Sequence, residues 1–125
     1  MIHELNASNF ILQNIDLQSP ELKNTSYDII VLLVKANWCG FCTAYLPVFR
    51  QNSFKGDNVG YMVVESTEHD NDILIEQWKH LVNPVFTINS YPSIVIYNRN
   101  GSPLGPVERT QLQESIQRVR DTGNL

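Results

Sequence analysis

The sequence predicts one α/β domain whose sheet is covered by helices on both faces, and three features of its 125 residues carry that expectation. Ile29 to Val34 is an unbroken branched apolar run, which is how a strand buried on both faces reads. Strand and helix patterns then alternate along the chain. Finally, Asn100-Gly101 between two apolar stretches is a hairpin signal, adding an antiparallel pair near the C-terminus. A chain of this length forms a single core without staples.

Phe10-Ile11-Leu12 is a short strand candidate, and Ser19-Pro20-Glu21-Leu22 has the cap-then-proline order of a short helix. Asp28 to Lys35 is the central strand. Residues 40–54 form a helix bent at Pro47, with Tyr45, Leu46, Val48 and Phe49 available for packing. Tyr61 to Val64 is a second buried strand, and the polar stretch Glu65 to Asp72 supplies caps for the helix that follows. That helix gathers Leu74, Ile75, Trp78, Leu81 and Val82 on one face. Ser93 to Tyr97 and Leu104 to Val107 are the hairpin strands. Thr110 with Gln113 resembles a capping box, and Leu112, Ile116 and Val119 form the apolar stripe of the last helix.

Apolar residues make up 42% and charged residues 18%, the balance of a soluble folded chain rather than a disordered one. A net charge of −4 argues against nucleic acid, whose phosphates call for a basic surface. No apolar run reaches the roughly 18 residues of a membrane span. Residues 1–8 lack the basic and apolar regions of a signal peptide, so a non-secreted, cytoplasmic monomer is expected, with no membrane partner.

Both cysteines fall in Trp38-Cys39-Gly40-Phe41-Cys42, directly after the central strand. A strand feeding a helix puts Cys39 at the helix N-terminus, where unpaired N–H groups favour a thiolate. Cys39 is then the nucleophile, and Cys42, one turn on and more buried, resolves the mixed disulfide. A metal site built from Cys39, Cys42, His69 and His80 fits no standard zinc spacing, so no metal is expected. The redox group is the Cys39–Cys42 pair itself, without a further cofactor.

At these residues the sequence resembles the thioredoxin superfamily. Pro47, eight residues after Cys39, is similar to the proline that kinks the active-site helix in thioredoxins and protein disulfide isomerases. Ser90-Tyr91-Pro92-Ser93 resembles the segment that places a cis-proline beside the active site, and tyrosine before that proline is closer to the isomerase domains. The resemblance implies a thioredoxin fold, with a central mixed β-sheet flanked by helices on both faces. It also implies a substrate-binding surface of Trp38, Gly40, Phe41, Tyr91 and Pro92. Trp38 would shield the disulfide.

Several departures qualify the resemblance. Where these families bury an acidic residue six positions before the first cysteine, this chain has Leu33, and where the isomerase domains place a nearby lysine it has Val63. Losing both together removes a buried charge that would cost several kcal/mol if left alone. Lys35, replacing an aromatic, is a candidate to handle the Cys42 proton instead. Phe41 stands where isomerases have histidine and brings no positive charge, so a less oxidising disulfide is expected. Arg109 lies near the position of the mobile arginine of isomerase domains. The segment Glu65 to Tyr91 is longer than its counterpart there, with the extra length placed in Lys79 to Ile88, where Val85 and Phe86 could line a groove.

The function implied is a thiol-disulfide oxidoreductase acting on protein thiols and disulfides, recharged by a separate redox partner, with its net direction left open. The alternative is a peptide-docking module of the same fold with weak or no redox turnover, which Leu33 would suit.

Overall fold

The computed structural model describes residues 2–12, 20–23, 26–55, 58–79, 88 and 90–125. Its strands are β1 (Ile2–Leu5), β2 (Phe10–Ile11), β3 (Glu21–Leu22), β4 (Ile29–Lys35), β5 (Val59–Glu65), β6 (Ser93–Asn98) and β7 (Pro103–Val107). Its helices are α1 (Gly40–Asn52), α2 (Asp72–Lys79) and α3 (Leu112–Thr122). The main sheet runs β1-β5-β4-β6-β7. β1, β5 and β4 are parallel, whereas β6 and β7 are antiparallel additions, so the sheet is mixed.

The apolar run in β4 works because side chains alternate between faces with period two. Ile30, Leu32 and Val34 join Phe10, Leu74, Trp78 and Tyr97 on the α2 side. Ile29, Val31 and Leu33 join Tyr45, Phe49, Ile116 and Val119 on the side of α1 and α3. Each such Leu or Ile contributes about 1.5–3 kcal/mol by leaving water, so a polar residue anywhere in this strand is costly. β4 is thereby the rigid platform from which α1 begins.

Several local expectations are corrected. β1 was not anticipated; its four residues pair in parallel with Tyr61 to Val64. Residues 20–22 are not helical: Glu21–Leu22 pairs with Phe10–Ile11, Leu22 N–H donates to Gly101 O at 2.8 Å, and the Tyr97 hydroxyl donates to Pro20 O at 3.1 Å. Those long-range bonds override the local proline signal, and Ser19 lies outside the described residues. Helix α1 ends at Asn52, and Val48 is half exposed because it falls beside the stripe of Cys42, Tyr45, Leu46 and Phe49. The Thr110/Gln113 capping box does not form. A 3-10 turn at Arg109–Gln111 leads into α3 without a side-chain cap, and Gln113 instead donates to Asn52 Oδ1 at 3.1 Å. Leu81, Val82, Val85, Phe86 and most of the segment expected to carry extra length lie outside the described residues. At its far end Ile88 is fully buried, its N–H bonded to Trp78 O at 3.2 Å.

Candidate active site

Three segments converge at the C-terminal end of β4: the loop 36–38, the start of α1, and the turn before β6. Buried Ala36, Cys39 and Cys42 pack together with Tyr91 against them. Cys39 is the N-cap of α1, in extended backbone conformation, and its sulfur accepts the Cys42 N–H at 3.1 Å. A sulfur thus occupies the capping position that Ser or Asp usually fills, where a helix start stabilises negative charge. Cys39 N–H in turn donates to Ala36 O at 3.1 Å, fixing the loop that delivers it.

The two cysteines are free thiols. Cys42 is pushed up to about 11, chiefly by burial and then by its hydrogen bond to Cys39; a backbone hydrogen bond at Ala36 and the charge of Lys35 oppose this. It is therefore a protonated thiol at neutral pH while Cys39 stands beside it.

The Tyr91–Pro92 peptide bond is cis. Across from the motif, the Cys39 thiol donates to the Tyr91 carbonyl at 3.6 Å, so this backbone faces the first sulfur. The Trp38 ring stands edge-on to Tyr91, centroids 6.0 Å apart. Trp38 and Phe41 are 71% and 72% exposed, forming an apolar rim beside Cys39, while Gly40 is open to solvent. Trp38 stands at the edge of the cysteine pair, leaning on Tyr91.

No protein-family model matches the sequence, and no curated relative matches it. Solved structures do. Spinach chloroplast thioredoxin f superimposes with a TM-score of 0.68 at 21% identity, covering 95% of this chain and 93% of that one. Thioredoxin of Malassezia sympodialis gives 0.63 at 20% identity over 94% and 91%. A thioredoxin f2 solved with ferredoxin:thioredoxin reductase gives 0.65 at 16% identity over 95% and 94%. The chain has the thioredoxin fold.

Within that thioredoxin fold, the expected site residues separate into two groups. Trp38, Cys39, Gly40, Phe41, Cys42, Tyr91 and Pro92 lie in the segments that meet at the start of α1. Arg109 does not join the cysteines in a contact; its guanidinium lies over the Tyr45 ring, 5.9 Å from the centroid. It also lines a groove of about 360 Å³ with Pro92, Ser93, Ile94, Pro106 and Glu108. Tyr45 is held above the ordinary tyrosine range by burial, against the pull of Arg109.

Leu33 and Val63 are direct neighbours across β4 and β5 and are buried. Sequence reasoning missed Glu65. Its carboxylate receives Lys35 Nζ at 2.5 Å, Asn37 N–H at 3.0 Å, Thr67 N–H at 3.0 Å and the Thr67 hydroxyl at 2.5 Å. Burial alone would raise its pKa, but the hydrogen bonds from Lys35 and Thr67 outweigh that and hold it below the ordinary carboxylate value. The signal available in sequence was that a lysine and a glutamate each end one of two buried strands. Among the described residues, no group of three or more His, Cys, Asp or Glu is placed to hold a metal, and no helix is long and apolar enough to cross a membrane.

Proposed function

We propose that the chain is a thiol-disulfide oxidoreductase for protein substrates, with Cys39 as nucleophile and Cys42 as resolving thiol. The observation that carries this is the juxtaposition of a capping sulfur, a neighbouring buried thiol and a backbone carbonyl aimed at the first sulfur. The Cys39 thiolate attacks a substrate disulfide, a mixed disulfide forms, and one substrate sulfur departs as thiolate. Cys42, after losing its proton, attacks Cys39 and releases the second. The substrate gains two electrons, the pair becomes a disulfide, and the two protons end on the substrate thiols. Run backwards from the disulfide form, the same steps oxidise a dithiol.

The segment Tyr91-Pro92 supplies a partly exposed edge on which an extended substrate can lie, and Trp38 and Phe41 give it an apolar border. No metal or organic cofactor enters this chemistry. Recharging needs a dithiol or disulfide partner, and the thioredoxin f2 seen with its reductase supports a protein in that role. The finer likeness to isomerase domains rests on Tyr91 and the resemblance alone.

Insulin reduction by dithiothreitol is the test. The parent is expected to accelerate precipitation of the insulin chains, and Cys39→Ser is expected to abolish the acceleration. A second reading, a docking module with poor turnover, is favoured by the apolar pair Leu33 and Val63, which offers no proton acceptor. Parent protein that binds unfolded peptide yet leaves insulin intact would establish that reading instead.

A further inference from the structure

One same-face step along the strands from Leu33 and Val63, towards the motif, Lys35 stands opposite Glu65. Both side chains are largely buried, at 22% and 18% exposure, and their ion pair is direct. Four donors satisfy the Glu65 carboxylate, so the Lys35 ammonium is held in place rather than sweeping solvent. Asn37, one of those donors, belongs to the loop that delivers Cys39. The same carboxylate therefore anchors both the loop and the lysine.

We propose that Lys35, held by Glu65 at the end of β4 beside the loop that delivers Cys39, is a positioning residue for the resolving half-reaction at a site lacking a buried acid. The inference rests on the oxidoreductase reading and deepens it. In this step Cys42 gives its proton to solvent and its sulfur bonds to Cys39. The bond from Cys39 to the substrate breaks, and the electron pair leaves on the substrate sulfur, which takes up a proton.

The need for such a charge follows from what changes during turnover. In the free dithiol, burial, the hydrogen bond to Cys39 and the charge on Cys39 all keep Cys42 protonated. Once Cys39 is tied to substrate, it carries no thiolate charge and no free thiol. Burial then remains as the opposing effect, with the Ala36 backbone hydrogen bond and Lys35 on the favourable side. Among the described residues, the titratable groups around Cys42 are Cys39 on its own helix, Lys35 from β4, and Tyr91 from the turn before β6. Glu65 from β5 is bound to Lys35, and Arg109 lies over Tyr45 one turn further along α1.

The two half-reactions are separable with 5,5′-dithiobis(2-nitrobenzoate) added below one equivalent to reduced protein. The first thionitrobenzoate released marks attack by Cys39, and the second marks closure by Cys42. Loss of the Lys35 charge leaves less Cys42 thiolate, partly offset by the greater nucleophilicity of a more basic thiol. Lys35→Met and Lys35→Gln are expected to slow the second release at pH 7 by about twofold or more and to displace its pH profile to higher pH. Lys35→Arg, which keeps the charge, is expected to follow the parent. Lys35→Gln retains a donor for Glu65 and so serves if Lys35→Met does not fold. A Lys35→Gln profile superimposing on the parent, or a Lys35→Arg profile displaced as far as Lys35→Gln, would overturn the proposal while leaving the oxidoreductase reading intact. A parent that releases only one thionitrobenzoate for each reagent molecule consumed would overturn both.

Discussion

Leu33 and Val63 lie side by side in the parallel pair β4 and β5, both buried among Tyr45, Phe49, Ile94 and Ile96. One same-face step further, the neighbouring pair is Lys35 with Glu65. Charge in β4 and β5 is thus confined to the strand ends, where Glu65 finds backbone and side-chain donors.

Restoring an acid at the interior position should therefore be costly. Leu33→Asp leaves a carboxylate in an apolar layer without a partner, with an expected loss of about 3–5 kcal/mol. Leu33→Asp with Val63→Lys gives the charge its register partner, so a coupling of about 1–3 kcal/mol is expected in a double-mutant cycle followed by urea unfolding. Additive losses would show that the two positions do not meet.

The raised Cys42 thiol sets a pH dependence. A group whose folded pKa lies above its unfolded value keeps its proton longer in the native state, so native protein binds more protons between those values and stability falls as pH rises through them. For Cys42 the window runs from the ordinary value of 9.0 to about 11. Reduced parent should lose stability across that window more steeply than Cys42→Ala, in which Tyr45 and Tyr97 contribute equally and cancel. Parallel unfolding curves for the two proteins would show Cys42 to be unshifted.

Gly101 closes the hairpin between β6 and β7 with φ +84, and an added Cβ would sit 2.2 Å from Leu22 O. Gly101→Ala therefore combines a left-handed backbone with a clash against the strand that the turn holds. A loss of about 2–4 kcal/mol is expected, read by thermal or urea unfolding of the reduced protein. An unchanged midpoint would mean that β3 is not held by this turn.

The parts of the fold visible in the sequence are those set by local pattern. Ile29 to Val34, the hairpin at Asn100-Gly101 and the stripe Leu112, Ile116 and Val119 each carry their own period or turn chemistry, and each forms as expected. Phe10–Ile11 forms the short strand expected there, whereas β1 and β3 have too few residues for a period and exist through partners far along the chain. The site divides in the same way. Cys39, Cys42 and Tyr91-Pro92 stand out as local motifs, whereas the Lys35–Glu65 pair spans 30 residues and becomes visible only once β4 and β5 are in register. Arg109 lies over the face of Tyr45, a partner 64 positions away in the chain that no local motif announces.

The most direct measurement is capture of the mixed disulfide. Reduced parent and Cys42→Ala are each incubated with a disulfide-bonded protein, and the products are weighed by mass spectrometry without reductant. Parent is expected to emerge lighter by two hydrogens with the substrate reduced, while Cys42→Ala is expected to accumulate a covalent adduct through Cys39. An adduct-free Cys42→Ala together with an unoxidised parent would contradict disulfide exchange at this site.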